Sequence, residues 1–135
     1  MISMSSETLV DGISSEFISI NNRGLCYGDG LFETIKVQRA VPEFFDLHLQ
    51  RLSVGCKKLD IECDEFALRK EVAQILGDCS YRQATLKIMV TRGDTPRGYG
   101  YTDNLPGHRI ITLSEFTHDY EEQQRYGVKT IICQT

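Results

Sequence analysis

The fold is decided by the stretch N-R-G-L-C-Y-G-D-G-L-F-E-T, residues 22–34. Its three glycines, Gly24, Gly28 and Gly30, lie within seven positions, and they let the backbone take positive φ angles or approach another group closely. A β-like run follows at once, so the turn gives that strand a fixed point of departure. The local pattern also permits a simpler structure, a tight loop closed by an Asp-Gly hairpin corner.

The composition indicates one ordinary globular domain. The chain has 135 residues, of which 41% are hydrophobic, and this is enough for a single core. Its 15 Lys and Arg residues against 19 Asp and Glu residues give a net charge of −4, and no basic block stands out. This charge balance disfavours a nucleic acid or an anionic membrane as partner. We find no signal peptide and no apolar run of about 20 residues, so the sequence predicts a cytoplasmic protein.

The cysteines favour a reducing compartment. There are five of them, an odd number, and they are well separated with no C-x-x-C pair: Cys26, Cys56, Cys63, Cys79 and Cys133. This spacing argues against both a disulfide framework and a zinc site. We therefore predict free thiols and no metal ion.

Short β-like runs before and after the turn predict the first strands of a sheet. Residues 1–8 are polar and predicted to be loose, and short strands are predicted at residues 9–11 and 17–20. Residues 31–37 alternate strongly, with Leu31, Ile35 and Val37 on one face. Glu33 shares that apolar face, so its carboxylate lies near a sheet edge or is buried beside a cation. Residues 41–45 are predicted to be the hairpin partner.

Two amphipathic helices follow. The first is predicted at residues 46–59 with Asp46 as N-cap, from apolar residues that recur at steps of three and four. The second begins after the N-cap Asp64 and ends at Gly77. Three further strands are predicted at residues 84–91, 109–113 and 128–133. Strands before, between and after a helical pair predict an α+β domain in preference to a regular βαβ series.

Two features have the chemistry of a binding site. Arg51 lies on the first helix beside His48, where its planar guanidinium could bind a phosphate or carboxylate, although a surface salt bridge is the more common role of a helical arginine taken alone. The loop R-G-D-T-P-R-G-Y-G-Y, residues 92–101, gathers two arginines and two tyrosines after a buried strand, where either a ligand site or a solvated turn is expected. The glycine-rich turn lacks the spacing of nucleotide-binding loops.

Three motifs taken together resemble a known family. They are R-G-x-x-Y-G-D-G-L-F-E-T from Arg23, H-L-Q-R-L from His48, and T-R-G from Thr91 followed by R-G-Y from Arg97. In this order they resemble the N-terminal part of the fold-type IV pyridoxal-phosphate enzymes, over about residues 9–133. That family contains branched-chain and D-amino-acid aminotransferases and aminodeoxychorismate lyase. The R-G followed shortly by R-G-Y is most similar to the lyase.

The resemblance implies a role for four residues and a cofactor. Arg51 matches the arginine that binds the phosphate of pyridoxal 5'-phosphate, and Phe32 matches an aromatic position that faces the substrate. Arg92 and Arg97 become candidates for binding substrate carboxylates. The resemblance also implies the small N-terminal domain of the D-amino-acid aminotransferase-like fold, mainly an antiparallel sheet with two helices packed on it, and a homodimer.

One departure from the family pattern concerns the catalytic lysine. In the family this lysine lies in a second domain, soon after the strand that matches residues 128–133, and the lysines of this chain match none of the expected positions. We therefore expect no catalytic residue within residues 9–135, the family's C-terminal catalytic domain to be absent from this chain, and the lysine to lie beyond Thr135. A chain without a suitably placed amine is expected to be inactive alone.

The function implied by the resemblance is that of a pyridoxal-phosphate-dependent lyase. It converts 4-amino-4-deoxychorismate to 4-aminobenzoate and pyruvate on the folate route. An amino-acid aminotransferase of the same family, for branched-chain or D-amino acids, is the first alternative. The alternative from another class is a non-catalytic domain that binds an anion or a partner chain with the same surface.

Overall fold

The chain forms an α+β domain. The computed structural model describes residues 6–102, 105–117 and 120–133. Within these ranges one antiparallel sheet has the strand order β2-β1-β6-β5-β3-β4. Its strands are β1 (Ser6–Val10), β2 (Ile13–Ser14), β3 (Gly30–Gln38), β4 (Val41–Pro42), β5 (Gln83–Thr91) and β6 (His108–Glu115). The helices are α1 (Arg23–Tyr27), α2 (Phe45–Leu59), α3 (Glu65–Gly77) and α4 (Glu121–Tyr126). The predicted fold class is confirmed.

Strand β3 is central to the arrangement of the site. It pairs with β5 along its whole length, from Gly30 opposite Thr91 to Gln38 opposite Gln83. Side chains alternate along it, so that Glu33, Ile35 and Val37 are buried while the residues between them are exposed. The predicted apolar face is therefore confirmed, and Glu33 lies on it.

One face of the sheet is covered by helices α2 and α3. Helix α2 packs on β3, and α3 packs on β6 and β1. The core lies between the helices and the strands and includes the following buried side chains: Ile35, Val37, Leu49, Leu52, Cys56, Leu68, Val72, Ile75, Leu86, Ile88, Ile111 and Leu113. The apolar residues that recur at steps of three and four form one stripe on each helix. Burial of these stripes against the sheet stabilises both helices.

The glycine-rich turn contains a short helix that the sequence did not predict. Helix α1 begins after Asn22, whose side chain accepts a hydrogen bond from the amide of Gly24. It ends at Gly28, which takes the left-handed conformation with φ of 66°. The segment is thus a capped helical turn, and the simpler hairpin corner is wrong.

The helix starts are partly as predicted. Asp64 caps α3, because its carboxylate accepts a hydrogen bond from the amide of Ala67 at 2.9 Å. The prediction of Asp46 as the N-cap of α2 is wrong. The amides of Leu47 and His48 already donate to the carbonyl of Phe44, so the helix begins at Phe45 and Asp46 lies inside its first turn.

The N-terminal strands differ from the prediction. Strand β1 begins at Ser6, since Ser6 pairs with Ser114 of β6, so part of the predicted loose segment belongs to the sheet. Residues 1–5 lie outside the described ranges. The strand predicted at residues 17–20 is wrong, because Phe17 and Ile20 are exposed and lie in a loop that pairs with no described strand. High β propensity does not make a strand where no neighbour offers a hydrogen-bonding edge.

The C-terminal strand predicted at residues 128–133 is also wrong. These residues are irregular, and Ile131 and Ile132 are almost fully exposed. Within the described part of the chain no strand pairs with them, although their composition is β-like. Helix α4 occupies part of the preceding charged segment, of which residues 118–119 lie outside the described ranges.

Candidate functional site

A buried carboxylate on β3 holds an arginine of α2. Nε of Arg51 donates to Oε1 of Glu33 at 2.7 Å, and Nη2 of Arg51 donates to Oε2. The Glu33 side chain is only 4% exposed, whereas that of Arg51 is 72% exposed. Of the two positions considered for Glu33, burial beside a cation is therefore the one observed.

His48 completes this cluster. Its Nδ1 lies 2.7 Å from Oε2 of Glu33, and it donates because an ionised carboxylate only accepts hydrogen bonds. His48 and Arg51 are three residues apart on α2, so they share one side of the helix. The alternation of β3 turns Glu33 to the same side. The period of a strand and the period of a helix thus place three polar groups together.

The cluster keeps Glu33 ionised. The hydrogen bonds from Arg51, helped by His48, lower the pKa of Glu33 below its ordinary value of 4.5, although burial works in the opposite direction. The paired carboxylate in turn fixes the direction of the guanidinium. Glu33 therefore stabilises one orientation of Arg51 near neutral pH.

Arg51 keeps donors that an anion could use. Glu33 takes its Nε and one hydrogen of Nη2, and in the described residues Nη1 donates to no protein group. A planar guanidinium with free donors on its exposed edge suits a phosphate or carboxylate ligand. The donor set fits the phosphate contact predicted for Arg51.

A second carboxylate, Asp29, binds two arginines. Nε of Arg23 lies 2.8 Å from Oδ2 of Asp29, and Nε of Arg92 lies 2.9 Å from the same atom. Both arginine side chains are buried. Hydrogen bonds from Arg92 and Arg23 lower the pKa of Asp29 despite its burial, which acts to raise it. The sequence did not indicate that either arginine pairs with Asp29. Arg23 lies in the glycine-rich turn, and Arg92 begins the loop of residues 92–101.

Arg97 and Phe32 lie in different surroundings. Arg97 is exposed on the loop of residues 93–101, and its side chain has no ion pair among the described residues. Phe32 is exposed on the face of the sheet opposite α2, with Nζ of Lys87 5.2 Å from the centre of its ring. An apolar depression beside Phe32 is lined by Ile18, Leu25, Met89 and Ile110 among others.

The chain does not gather the four predicted site residues into one pocket. Neighbouring residues of a strand point to opposite faces, so Phe32 turns away from the side on which Glu33 holds Arg51. Arg92 contacts the C-terminal end of α2, about two turns from Arg51. Arg92 uses its donors inside the protein, and this geometry favours an internal role over the predicted contact with substrate.

The described residues offer neither a metal site nor a membrane-spanning helix. In these ranges no group of three or more His, Cys, Asp or Glu side chains is placed to hold a metal ion. None of the helices described has the length and apolar character that crossing a lipid bilayer requires. Besides the clusters of Glu33 and Asp29, the described residues contain a partly buried ion pair between Arg109 and Glu71, at 2.8 Å.

The fold and the Arg51 cluster define an α+β domain with a largely exposed arginine held on one edge by a buried carboxylate. A family model for amino-transferase class IV matches residues 30–135, and the chain belongs to that family. The enzymes of this family use pyridoxal phosphate. The resemblance read from the three motifs is confirmed.

Curated relatives include an aminodeoxychorismate lyase and several aminotransferases. The chain is 29% identical over 130 residues to the aminodeoxychorismate lyase of Vibrio harveyi, covering 93% of this chain and 46% of that protein. It is 27% identical over 117 residues to the D-alanine aminotransferase of Bacillus licheniformis, covering 84% of this chain and 41% of that protein. The chain therefore spans less than half the length of these relatives.

A solved structure extends the likeness to the backbone. The 4-amino-4-deoxychorismate lyase of Pseudomonas aeruginosa superposes with a TM-score of 0.78 at 35% identity. The superposition covers 87% of this chain and 43% of that one. The fold is thus that of the fold-type IV enzymes.

Proposed function

We propose that this chain is the small N-terminal domain of a pyridoxal-phosphate-dependent aminodeoxychorismate lyase. The observation that carries the proposal is the likeness to the Pseudomonas aeruginosa lyase, at 35% identity over most of this chain. The pair of motifs R-G at Arg92 and R-G-Y at Arg97 supports the same choice. The reaction would convert 4-amino-4-deoxychorismate to 4-aminobenzoate and pyruvate, in the cytoplasm and in a homodimer.

Arg51 would hold the cofactor through its phosphate group. Its free Nη1 and its exposure supply the donors, and Glu33 keeps the guanidinium in one orientation. When bound, pyridoxal phosphate supplies a conjugated ring that takes up electrons from the substrate. The lysine that carries the cofactor would belong to the family's second domain, which is the proposed partner of this one.

Arg97 and Phe32 would contribute to substrate binding. Aminodeoxychorismate is a ring with a carboxylate and an enolpyruvyl ether, so its site requires cationic and aromatic groups. Arg97 is exposed on a loop that also carries two tyrosines. A site for branched-chain amino acids would instead need mainly apolar walls, because it rejects polar substrates by leaving their groups unpaired.

The test compares two reactions in the enzyme that contains this chain. Incubation with aminodeoxychorismate should release 4-aminobenzoate and pyruvate in equal amounts, measured by fluorescence and by a coupled reduction of pyruvate. Incubation with D-alanine or leucine and 2-oxoglutarate should produce little glutamate. Substantial glutamate formation without any 4-aminobenzoate would instead establish the aminotransferase.

The aminotransferase remains the second candidate because of a specific relative. The D-alanine aminotransferase of Bacillus licheniformis matches 84% of this chain at an identity close to that of the Vibrio lyase. The motifs around Arg51 do not separate the two activities, since both would bind the same cofactor phosphate. The loop of residues 92–101 is where the two substrates would be distinguished.

The role of Arg51 can be tested by cofactor titration. Arg51→Ala should weaken pyridoxal-phosphate binding about tenfold or more, because hydrogen bonds between charged groups are lost. The matched control is Arg69→Ala, which removes another exposed arginine whose partners are Asp46 and Glu65. Equal affinities of the two variants would contradict the assignment of Arg51.

A non-catalytic domain would behave differently. If the chain uses Arg51 only to bind an anion or another chain, the enzyme that contains it would have neither activity. Inorganic phosphate would still bind, and Arg51→Ala would abolish that binding. The absence of both activities, together with phosphate binding that calorimetry shows to depend on Arg51, therefore separates this alternative from the two enzymes.

A further inference from the structure

The donors of Arg92 are directed into the protein. Nε and Nη2 of Arg92 reach the carboxylate of Asp29 at 2.9 and 3.3 Å. Nη1 donates to the carbonyl of Asp60 at 2.6 Å, and Nη2 also donates to that of Leu59 at 2.7 Å. These carbonyls lie at the C-terminal end of α2, where backbone acceptors lack helical partners. Arg92 thus connects the end of β5 to the end of α2.

Arg23 uses the same carboxylate to hold the loop of residues 93–101. Its Nε donates to Asp29, while Nη1 donates to Oγ1 of Thr95 at 3.1 Å and Nη2 donates to the carbonyl of Tyr99 at 3.0 Å. The guanidinium also lies 5.1 Å from the centre of the Tyr101 ring. A single buried side chain therefore contacts the beginning, the middle and the end of this loop.

The loop is costly to order, and contacts other than those of the Arg23 side chain also hold it. Gly93 and Gly98 have φ of 94° and 130°, and a glycine-rich backbone loses more entropy on ordering than other sequences. Tyr99 is 85% exposed, so apolar burial contributes little there. The other contacts include the amide of Thr95 donating to the carbonyl of Asn21 at 3.2 Å and the amide of Gly98 donating to Oη of Tyr27 at 3.0 Å. The ring centres of Tyr27 and Tyr99 lie 5.4 Å apart.

We propose that Arg23, Asp29 and Arg92, here called the Asp29 triad, are positioning residues that hold the 93–101 loop so that Arg97 faces an anionic group of the substrate. This rests on the proposed function, in which Arg97 binds a carboxylate. Asp29 is the common element, because it is the carboxylate that both buried arginines share. Arg92 acts through Asp29 and the loop and does not touch the substrate.

Asp29→Asn is the direct test. The amide keeps the shape of the side chain but leaves two buried guanidinium groups without their counterion. Hydrogen exchange of the 135-residue chain, followed by mass spectrometry, should become about tenfold faster or more in residues 93–101, since hydrogen bonds between charged groups are lost. Exchange within β5 should stay close to that of the unchanged chain. Asp46→Asn, the same substitution at an exposed ion pair, is the control and should alter neither segment.

The outcomes separate positioning from simple stabilisation. If loop and β5 amides exchange faster by the same factor, Asp29 supports the whole fold and the proposal is wrong. If the loop exchanges as before, the triad does not hold it. Should Asp29→Asn fail to fold, Thr95→Val decides, because it removes only the contact with Arg23 and should accelerate loop exchange about threefold. An unchanged loop in that variant would also overturn the proposal.

Kinetics of the enzyme that contains this chain link the loop to the substrate. Asp29→Asn and Arg97→Ala should both raise KM for aminodeoxychorismate, while affinity for pyridoxal phosphate stays as it was. Asp29→Glu, which keeps the charge, should raise KM less than Asp29→Asn does. Raised loop exchange with an unchanged KM would contradict the positioning role. If the enzyme has no lyase activity at all, the proposed function fails, and the exchange experiment still decides whether the triad holds the loop.

Discussion

Replacement of Glu33 by glutamine tests the cluster that orients Arg51. The variant keeps the size of the side chain but removes its charge and one of its two acceptor oxygens. In the structure Glu33 accepts hydrogen bonds from Nε and Nη2 of Arg51 and from Nδ1 of His48. At least one donor of the cluster therefore loses its acceptor, and the remaining bonds lose the charge that strengthens them.

The expected cost follows from burial and exposure. A hydrogen bond to a charged group contributes about 1.5–3 kcal/mol. Glu33 is almost fully buried, but much of Arg51 lies in water, which replaces part of the lost interaction. We therefore expect Glu33→Gln to lower the free energy of unfolding by about 2 kcal/mol near pH 7, below the range for a fully buried pair. For a domain of this size that is a fall in Tm of about 6–10 °C.

The stabilisation that Glu33 contributes depends on pH. The pKa of Glu33 is lower in the folded chain than its ordinary value of 4.5. The ionised cluster therefore stabilises the fold above pH 4.5, and this contribution is lost as the pH falls through the lowered pKa of the folded state. The difference between the two proteins should shrink over that range, because the glutamine cannot titrate.

Urea unfolding at several pH values measures the free energy of unfolding and its dependence on pH. Circular dichroism is a suitable signal because the chain has no tryptophan. The matched control is Glu43→Gln in the adjacent hairpin, where the carboxylate pairs with Lys36 in water. That variant should change the free energy of unfolding by less than about 0.5 kcal/mol. A cost for Glu33→Gln as small as that of the control, or one that does not change with pH, would refute the reasoning.

Three further predictions concern other parts of the chain. Glu71→Gln should lower the free energy of unfolding by about 3 kcal/mol in urea, because it leaves the partly buried Arg109 without its closest partner; Glu65→Gln, at an exposed helical pair, should change it little. Gly107→Ala should cost about 1–3 kcal/mol in the same assay, since its Cβ would lie 2.2 Å from a backbone carbonyl oxygen, whereas Gly100→Ala has open space. Treatment of the 135-residue chain with pyridoxal phosphate and borohydride should label no lysine dominantly by peptide mass spectrometry; one dominant adduct would contradict the expectation that the cofactor-binding lysine lies beyond Thr135.

The helices and strands with a strong hydrophobic periodicity were predictable from the sequence. The alternation along β3 and the steps of three and four in α2 and α3 report which side is buried, because each element has a large apolar face. These patterns identified the fold class and the side on which Glu33 lies. They could not show that Arg51 would be its partner, since that depends on where α2 packs.

Short and unpaired elements were not predictable in the same way. Helix α1 has five residues, too few for a period, and its stability comes from the cap of Asn22 and the left-handed Gly28. Residues 128–133 have the composition of a strand, but β structure requires a neighbouring edge that propensity does not report. The contact of Arg92 with Asp29 joins residues 63 positions apart, so only the register of β5 on β3 brings them together.

Glu33 and Asp29 show why an arginine motif alone does not reveal its role. Each carboxylate binds a guanidinium through two nitrogen atoms, and both Arg51 and Arg92 matched motif positions of the family. The difference lies in the donors that remain. Those of Arg92 are used by backbone carbonyls, whereas Nη1 of Arg51 has no partner in the described residues and its side chain is exposed. A guanidinium that is held on one edge and exposed on the other can bind a ligand. A guanidinium that is held on both edges can only keep neighbouring groups in position.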